Sequence, residues 1–400
     1  MRHLITLLAA LFPIPAMALP PASVAVAFGR TSIRPVLVEG EADRATHRMA
    51  TADSPVRIAS ISKLVTALGV MRLVDQGKLD LDRDLSDYLG YPLRNPAFPN
   101  QPITLRLLMS HQSSLIDGDD LYLIPFGTTL RERLADSRVW DARHGPGSGW
   151  FHYTNLNFPV VASVIEKVTG QRFDVAMQHL VLAPLGLDAC FNWGAGCSAG
   201  AAGRAVVLYR ANGNVARDDL HGTFPACPVV AGPGGKCDLW SYALGENGAL
   251  FSPQGGLRIS MRDLAKVGQV LARRGRGFLS PRAYAELTRP VWRFNGTNGV
   301  GENGEPDGFF CAYGLALQTI GGGGGGGVGC DDDLFGDGRV RIGHAGDAYG
   351  LKSGLWVDPV SGRGLAYFTT AVADDAPKGR SAFLAAEEAV VERAVRVPFR

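Results

Sequence analysis

The chain has almost no net charge. Its 40 Lys and Arg residues against 38 Asp and Glu leave a formal +2, so no electrostatic footprint for nucleic acid exists. Lysine itself is scarce, at 7 positions, so a motif that demands Lys is seldom met by chance. No Cys-x-x-Cys occurs, and the tight ligand pairs of a structural zinc site are missing. Beyond the N-terminus no apolar run reaches the roughly 20 residues needed to span a bilayer. Collagen-like periodicity is absent despite 51 glycines, which instead predict many turns. What is present is globular: 46% apolar and 20% charged residues exclude wholesale disorder. The length of 400 residues is enough for two or three core-forming units.

The first residues form an address. Arg2 and His3 precede an apolar stretch from Leu4 to Phe12, and Ala16-Met17-Ala18 is a small-x-small cleavage site. Residues 1–18 therefore read as a signal peptide, with the mature chain starting near Leu19 and exported to a periplasm or medium. No Cys follows the cleavage site, so no lipid anchor is expected. The six cysteines all lie within 190–330, an even number suited to an oxidising compartment. Short loops close most readily, which favours the pairs Cys190–Cys197, Cys227–Cys237 and Cys311–Cys330.

Strand-like runs are expected at 22–28, 36–39, 313–320, 340–343, 352–357 and 365–370. Apolar residues at three- and four-residue intervals predict helices over 61–74, 158–168, 257–273 and 380–395, with Ser260 as an N-cap. The class is α/β (α+β): an antiparallel sheet built from the N- and C-terminal segments and flanked by helices, plus an inserted, mostly helical lobe. The domain covers 19–397, with a sheet lobe at about 19–75 and 245–397 and a helical lobe at 76–244. Gly321 to Gly327 reads as a solvated connection, and Asp331, Asp332, Asp333 and Asp337 as a solvated acidic turn.

Three short segments carry chemistry. In Ser60-Ile61-Ser62-Lys63 the first and last residues share a helix face, so Lys63 can reach the Ser60 hydroxyl. Ser60 at the helix N-terminus also sits where developing negative charge is favoured. A serine hydroxyl needs a neighbouring base to become a nucleophile, and a desolvated Lys can serve. In Tyr153-Thr154-Asn155, a Tyr facing an ammonium can relay a proton, although a Tyr packed on a core rim is the competing reading. In His344-Ala345-Gly346, small residues at the start of a strand let a substrate backbone lie against it.

Order and spacing unite them. Ser-x-x-Lys, then Tyr-x-Asn about ninety residues on, then [Lys/His]-x-Gly near the C-terminus resembles the signature of the penicillin-recognising serine hydrolases. Arg57-Ile58-Ala59-Ser60-Ile61-Ser62-Lys63-Leu64 is similar to the nucleophile segment of class C β-lactamases and their D,D-peptidase and esterase relatives. Leu107-Leu108-Met109-Ser110-His111 resembles a further stretch of that family, as do Gly256-Leu257, Tyr313-Gly314-Leu315 and Gly354-Leu355. The resemblance extends over about residues 22–395.

The resemblance implies a β-lactamase/transpeptidase-like fold and a role for each matching residue. Ser60 would be the acyl-enzyme nucleophile, and Lys63 and Tyr153 its proton network. Asn155 would contact Lys63 and a substrate amide. The backbone N–H groups of Ser60 and Asp347 would form the oxyanion hole, and Ala345 and Gly346 would lie against the substrate. His344 stands where β-lactamases usually carry Lys, and this form occurs among family esterases, amidases and peptidases. Protonated below a reference pKa of about 6.5, His344 would meet an anionic substrate; the alternative is that it only hydrogen-bonds Tyr153 or a neighbouring loop and never touches substrate. Ser114 replaces the usual Gly after Ser113. The substrate is a small molecule or peptide, with no cofactor and no metal. A binding or sensor protein on the same fold, acylated without useful turnover, is the alternative.

Overall fold

The computed structural model describes residues 21–301, 304–306, 308–322 and 329–398. The strands of the principal sheet and the long helices are numbered here along the chain: β1 Ser23–Phe28, β2 Ile33–Glu39, α1 Ile61–Asp75, α2 Asn157–Thr169, α3 Met261–Ala272, β3 Trp292–Arg293, β4 Ala312–Tyr313, β5 Gln318–Ile320, β6 Arg341–Ala348, β7 Leu351–Val357, β8 Gly364–Thr369 and α4 Ala385–Val395. The sheet runs β3-β4-β5-β6-β7-β8-β1-β2, antiparallel at every pairing.

β1 is buried along almost its whole length rather than on alternate residues, because helices cover both of its faces. Val24, Val26 and Phe28 join the core formed with Leu264 and Val267 of α3, whereas Ala25 joins Val390 and Val391 of α4. α3 seats closely: a Cβ on Gly268 would come 2.2 Å from the Phe28 ring, so no larger residue fits there. α1 is buried on nearly all sides, as expected of a helix enclosed by sheet and neighbouring helices. Between α1 and Leu257 the chain contains α2, several short helical turns and long loops.

The structure corrects several sequence expectations. Ser260 does cap α3, accepting from the Asp263 N–H at 3.1 Å, but Leu257–Ile259 is a strand paired with Val56–Arg57 and Cys190–Phe191. A segment as short as Leu-Arg-Ile does not separate strand from helix by periodicity; the cap does. The run 313–320 is broken into β4 and β5 by a turn with Ala316 at φ +53°. The last helix begins at Ala385, not near 380. The acidic turn is not wholly solvated: Asp332 is buried and accepts from the Gly321 N–H at 3.0 Å. Cysteines pair as expected, 190 with 197, 227 with 237 and 311 with 330. The signal segment 1–18 and Gly323 to Gly327 lie outside the described residues.

Candidate active site

The Ser60 turn is set by the strand before it. Val56–Arg57 pairs with Ile259 and Arg258, and Ala59 then takes φ +48°. A non-glycine residue there carries about 1–3 kcal/mol of strain, held by the surrounding contacts. The turn places Ser60 at the N-cap of α1, half-exposed, while Ser62 and Lys63 behind it are fully buried.

Lys63 Nζ donates to three acceptors: Ser60 Oγ at 2.8 Å, Asn155 Oδ1 at 2.7 Å and the Gln254 carbonyl at 3.2 Å. Together these bonds hold Nζ toward Ser60. Its Nζ also lies 4.8 Å from the Tyr153 ring centroid. Asn155 is held in turn by Asp117, whose carboxylate accepts from the Asn155 N–H, its Nδ2 and the Leu156 N–H, each at 2.9 Å.

Tyr153 follows a two-residue strand, Phe151–His152, paired in parallel with Gly299–Val300. Its ring is stacked between Phe310 at 4.6 Å and His111 at 4.4 Å. His111 Nδ1 accepts the Thr154 N–H at 2.9 Å, which puts the ring proton on Nε2. Burial, then the Lys63 charge, push the His111 pKa well below its ordinary value. It is therefore a neutral wall behind Tyr153. Ser114 sits at φ +65°, the left-handed region a glycine would favour, and accepts from Asn95 Nδ2 at 3.0 Å.

β6 closes the site. It pairs with β5 over Arg341–Gly343 and with β7 over Ile342–Ala348. A Cβ on Gly346 would come 2.3 Å from the Ile58 carbonyl and 2.5 Å from Ser353 Oγ, so glycine is required for this strand to reach the Ser60 turn. Ala345 is buried; Asp347 is exposed and its carboxylate pairs with Lys352.

His344 is placed differently from the expectation of a cation facing substrate. It is buried, Nε2 lies 2.7 Å from the Tyr313 hydroxyl, and Nδ1 lies 2.6 Å from the Ala345 carbonyl. The carbonyl can only accept, so Nδ1 carries the proton and Nε2 accepts from Tyr313. Burial, then the Lys63 charge, lower its pKa to about 3. The imidazole is neutral across the physiological range, and its substitution for Lys removes a charge from the site.

Sequence reasoning gave no role to Asp117, Gln254, His111, Phe310 or Tyr313. Asp117 and Gln254 act from loops 38 and 191 residues away from their partners, with no local pattern to mark them. For His111 the signal was its place in the Leu-Leu-x-x-His segment.

This geometry belongs to a known group of folds. The family model described as Beta-lactamase matches residues 15–389, and the chain belongs to that family of β-lactamase-fold serine hydrolases. Among curated relatives, Esterase EstB of Burkholderia gladioli is 34% identical over 170 residues, covering 38% of this chain and 42% of that protein. D-alanyl-D-alanine-carboxypeptidase/endopeptidase AmpH of Escherichia coli K12 is 32% identical over 142 residues, 34% of this chain and 36% of the relative. The matched segments thus span less than half the length of either relative. A D-amino acid amidase from Ochrobactrum anthropi SV3 superposes with TM-score 0.66 at 19% identity, covering 94% of this chain and 93% of that one. A class C β-lactamase from Rhodobacter sphaeroides gives 0.62 at 18%, with the same coverage. Both share the fold.

Proposed function

We propose that this protein is an exported serine hydrolase that cleaves an ester or amide through a Ser60 acyl-enzyme, and is an esterase, amidase or peptidase rather than an efficient β-lactamase. The observation that carries this reading is the three-way hydrogen bonding of Lys63 to Ser60, Asn155 and Gln254. It aims a buried amine at a half-exposed hydroxyl, with Tyr153 beside it.

In the proposed reaction Ser60 Oγ bonds to the substrate carbonyl carbon while its proton passes into the Lys63–Tyr153 pair. Tyr153 returns a proton to the departing alcohol or amine as that bond breaks. Water then attacks the acyl ester, and Ser60 recovers its proton. The backbone N–H groups of Ser60 and Asp347 stabilise the oxyanion, a contribution of about 100–1000-fold per donor. The neutral His344 argues against strong recognition of a β-lactam carboxylate at that point of the site. Three disulfides among the described residues support export.

The test is intact-mass spectrometry after exposure to a fluorescent penicillin, a p-nitrophenyl ester and a D-Ala-D-Ala peptide in turn. A transient adduct on Ser60 with release of product from the ester or peptide is the expected result. A penicillin adduct that persists, with no turnover of any substrate, would instead favour a sensor on the same fold.

A further inference from the structure

Beside the catalytic network lies a cleft of about 520 Å³, with Arg57, Gln254 and Tyr349 among its lining residues. Gln254 joins the two places, since its carbonyl accepts from Lys63. Arg57 and the turn before Ser60 also meet: Arg57 Nη2 and the Ala59 backbone both lie within 4 Å of the point where a Gly255 Cβ would sit.

Arg57 is a poorly compensated cation. It is 9% exposed, and its register partner across the strand pair is another buried arginine, Arg258. The nearby carboxylate, Asp218, is occupied: Arg258 donates to its Oδ2 at 3.1 Å and its Oδ1 at 2.8 Å, and Trp193 Nε1 donates to Oδ1 at 3.0 Å. Beyond the face of the Tyr349 ring at 5.2 Å, Arg57 has long hydrogen bonds to two neutral oxygens, Asn192 Oδ1 at 3.4 Å and Ser252 Oγ at 3.3 Å. Its Nε has no partner among the described residues. A buried guanidinium in that state is costly unless an anion completes it, and a planar carboxylate matches its fork. The same cleft is lined by the apolar Leu123, Ile124 and Val229, and by the carboxylates Asp218 and Asp219.

We infer that Arg57 forms the anchor of a carboxylate subsite, so that the preferred substrates are esters or amides carrying an acid group on an apolar spacer. This rests on the Ser60 acyl-enzyme reading. It differs from the His344 position, which is neutral: the anion is taken in the cleft that Arg57 lines.

The experiment uses mono-4-nitrophenyl esters of adipic and suberic acids, each against its methyl-capped neutral counterpart. Expected is a kcat/KM ratio of about tenfold or more in favour of the free acid for at least one spacer, as one charge-assisted contact provides. Arg57→Met should bring that ratio to about one, and Arg57→Lys should retain part of it. A ratio near one in the wild-type for both spacers, or an unchanged ratio in folded Arg57→Met, overturns the inference. Should Arg57→Met not fold, binding of adipate against adipamide to the wild-type decides, read as thermal stabilisation at low and high salt. Stabilisation by adipate alone, lost in salt, supports the subsite; equal effects overturn it. That arm needs no turnover, so it also separates failure of the subsite from failure of the hydrolase reading.

Discussion

The Asp117 carboxylate holds Asn155 twice, accepting from its backbone N–H and from its side-chain Nδ2, each at 2.9 Å. That clamp leaves Asn155 Oδ1 turned toward Lys63, at 2.7 Å. Asp117 is thus a positioning residue whose influence on Ser60 passes through three hydrogen bonds, Asp117 to Asn155, Asn155 to Lys63 and Lys63 to Ser60. Asp117→Ala should lower kcat for a p-nitrophenyl ester by about 10–100-fold, within the range known for outer partners of a site. KM should change far less. Steady-state kinetics that show a KM effect with kcat intact would assign Asp117 to substrate binding instead.

Ser60→Ala should abolish ester hydrolysis while leaving circular dichroism unchanged, because Ser60 is half-exposed and carries no packing load. Tyr153→Phe should retain some acylation and slow turnover by about 100-fold or more, the range for a general acid–base group. The Tyr153 ring is stacked on both faces, and Phe keeps those contacts. A change below threefold would make Tyr153 a packing residue.

His344 should appear in stability rather than in substrate choice. Its folded pKa is about 3, whereas an unfolded histidine titrates near 6.5. The stability contributed by the neutral ring is therefore full above 6.5 and is lost as pH falls toward 3. The slope is at most about 1.4 kcal/mol per pH unit. Urea unfolding of wild-type and His344→Gln from pH 7 to 4.5 should give curves that converge as pH falls. Parallel curves would show that the ring takes up its proton without cost.

Gly346→Ala places a methyl group against the Ile58 carbonyl and Ser353 Oγ. Overpacking of this kind costs about 1–3 kcal/mol and should also push β6 away from Ser60. Both the denaturation midpoint and the ester kcat should drop. Loss of stability with kcat retained would mean that β6 and the Ser60 turn move together.

The elements with strong local signals were readable from sequence. The spacing of Ile61, Leu64, Val65, Leu68 and Met71 predicted α1, whereas the strand expected at 340–343 runs on through Gly346 to Ala348. Ser60, Lys63, Tyr153 and Asn155 come together from segments 92 residues apart, and the family resemblance supplied that grouping rather than any spacing rule. What was not readable depends on tertiary contact. The state of His344 is set by burial and the Lys63 charge, its tautomer by the Ala345 carbonyl, and the role of Arg57 by its register with Arg258. Leu257–Ile259 became a strand because two other short strands flank it.

The central position of β1 ties the two ends of the chain together in time as well as in space. Ser23 pairs with Thr369, and the Ala22 N–H donates to Thr370 Oγ1, contacts that close loops of 346 and 348 residues. While the chain emerges from N- to C-terminus, β1 can pair with β2 but must wait for β8 on its other edge and α4 on one face. Such late closure raises contact order and slows folding. The apolar residues of β1 therefore remain partly uncovered until synthesis is nearly complete, a window in which a chaperone would find an exposed strand to hold.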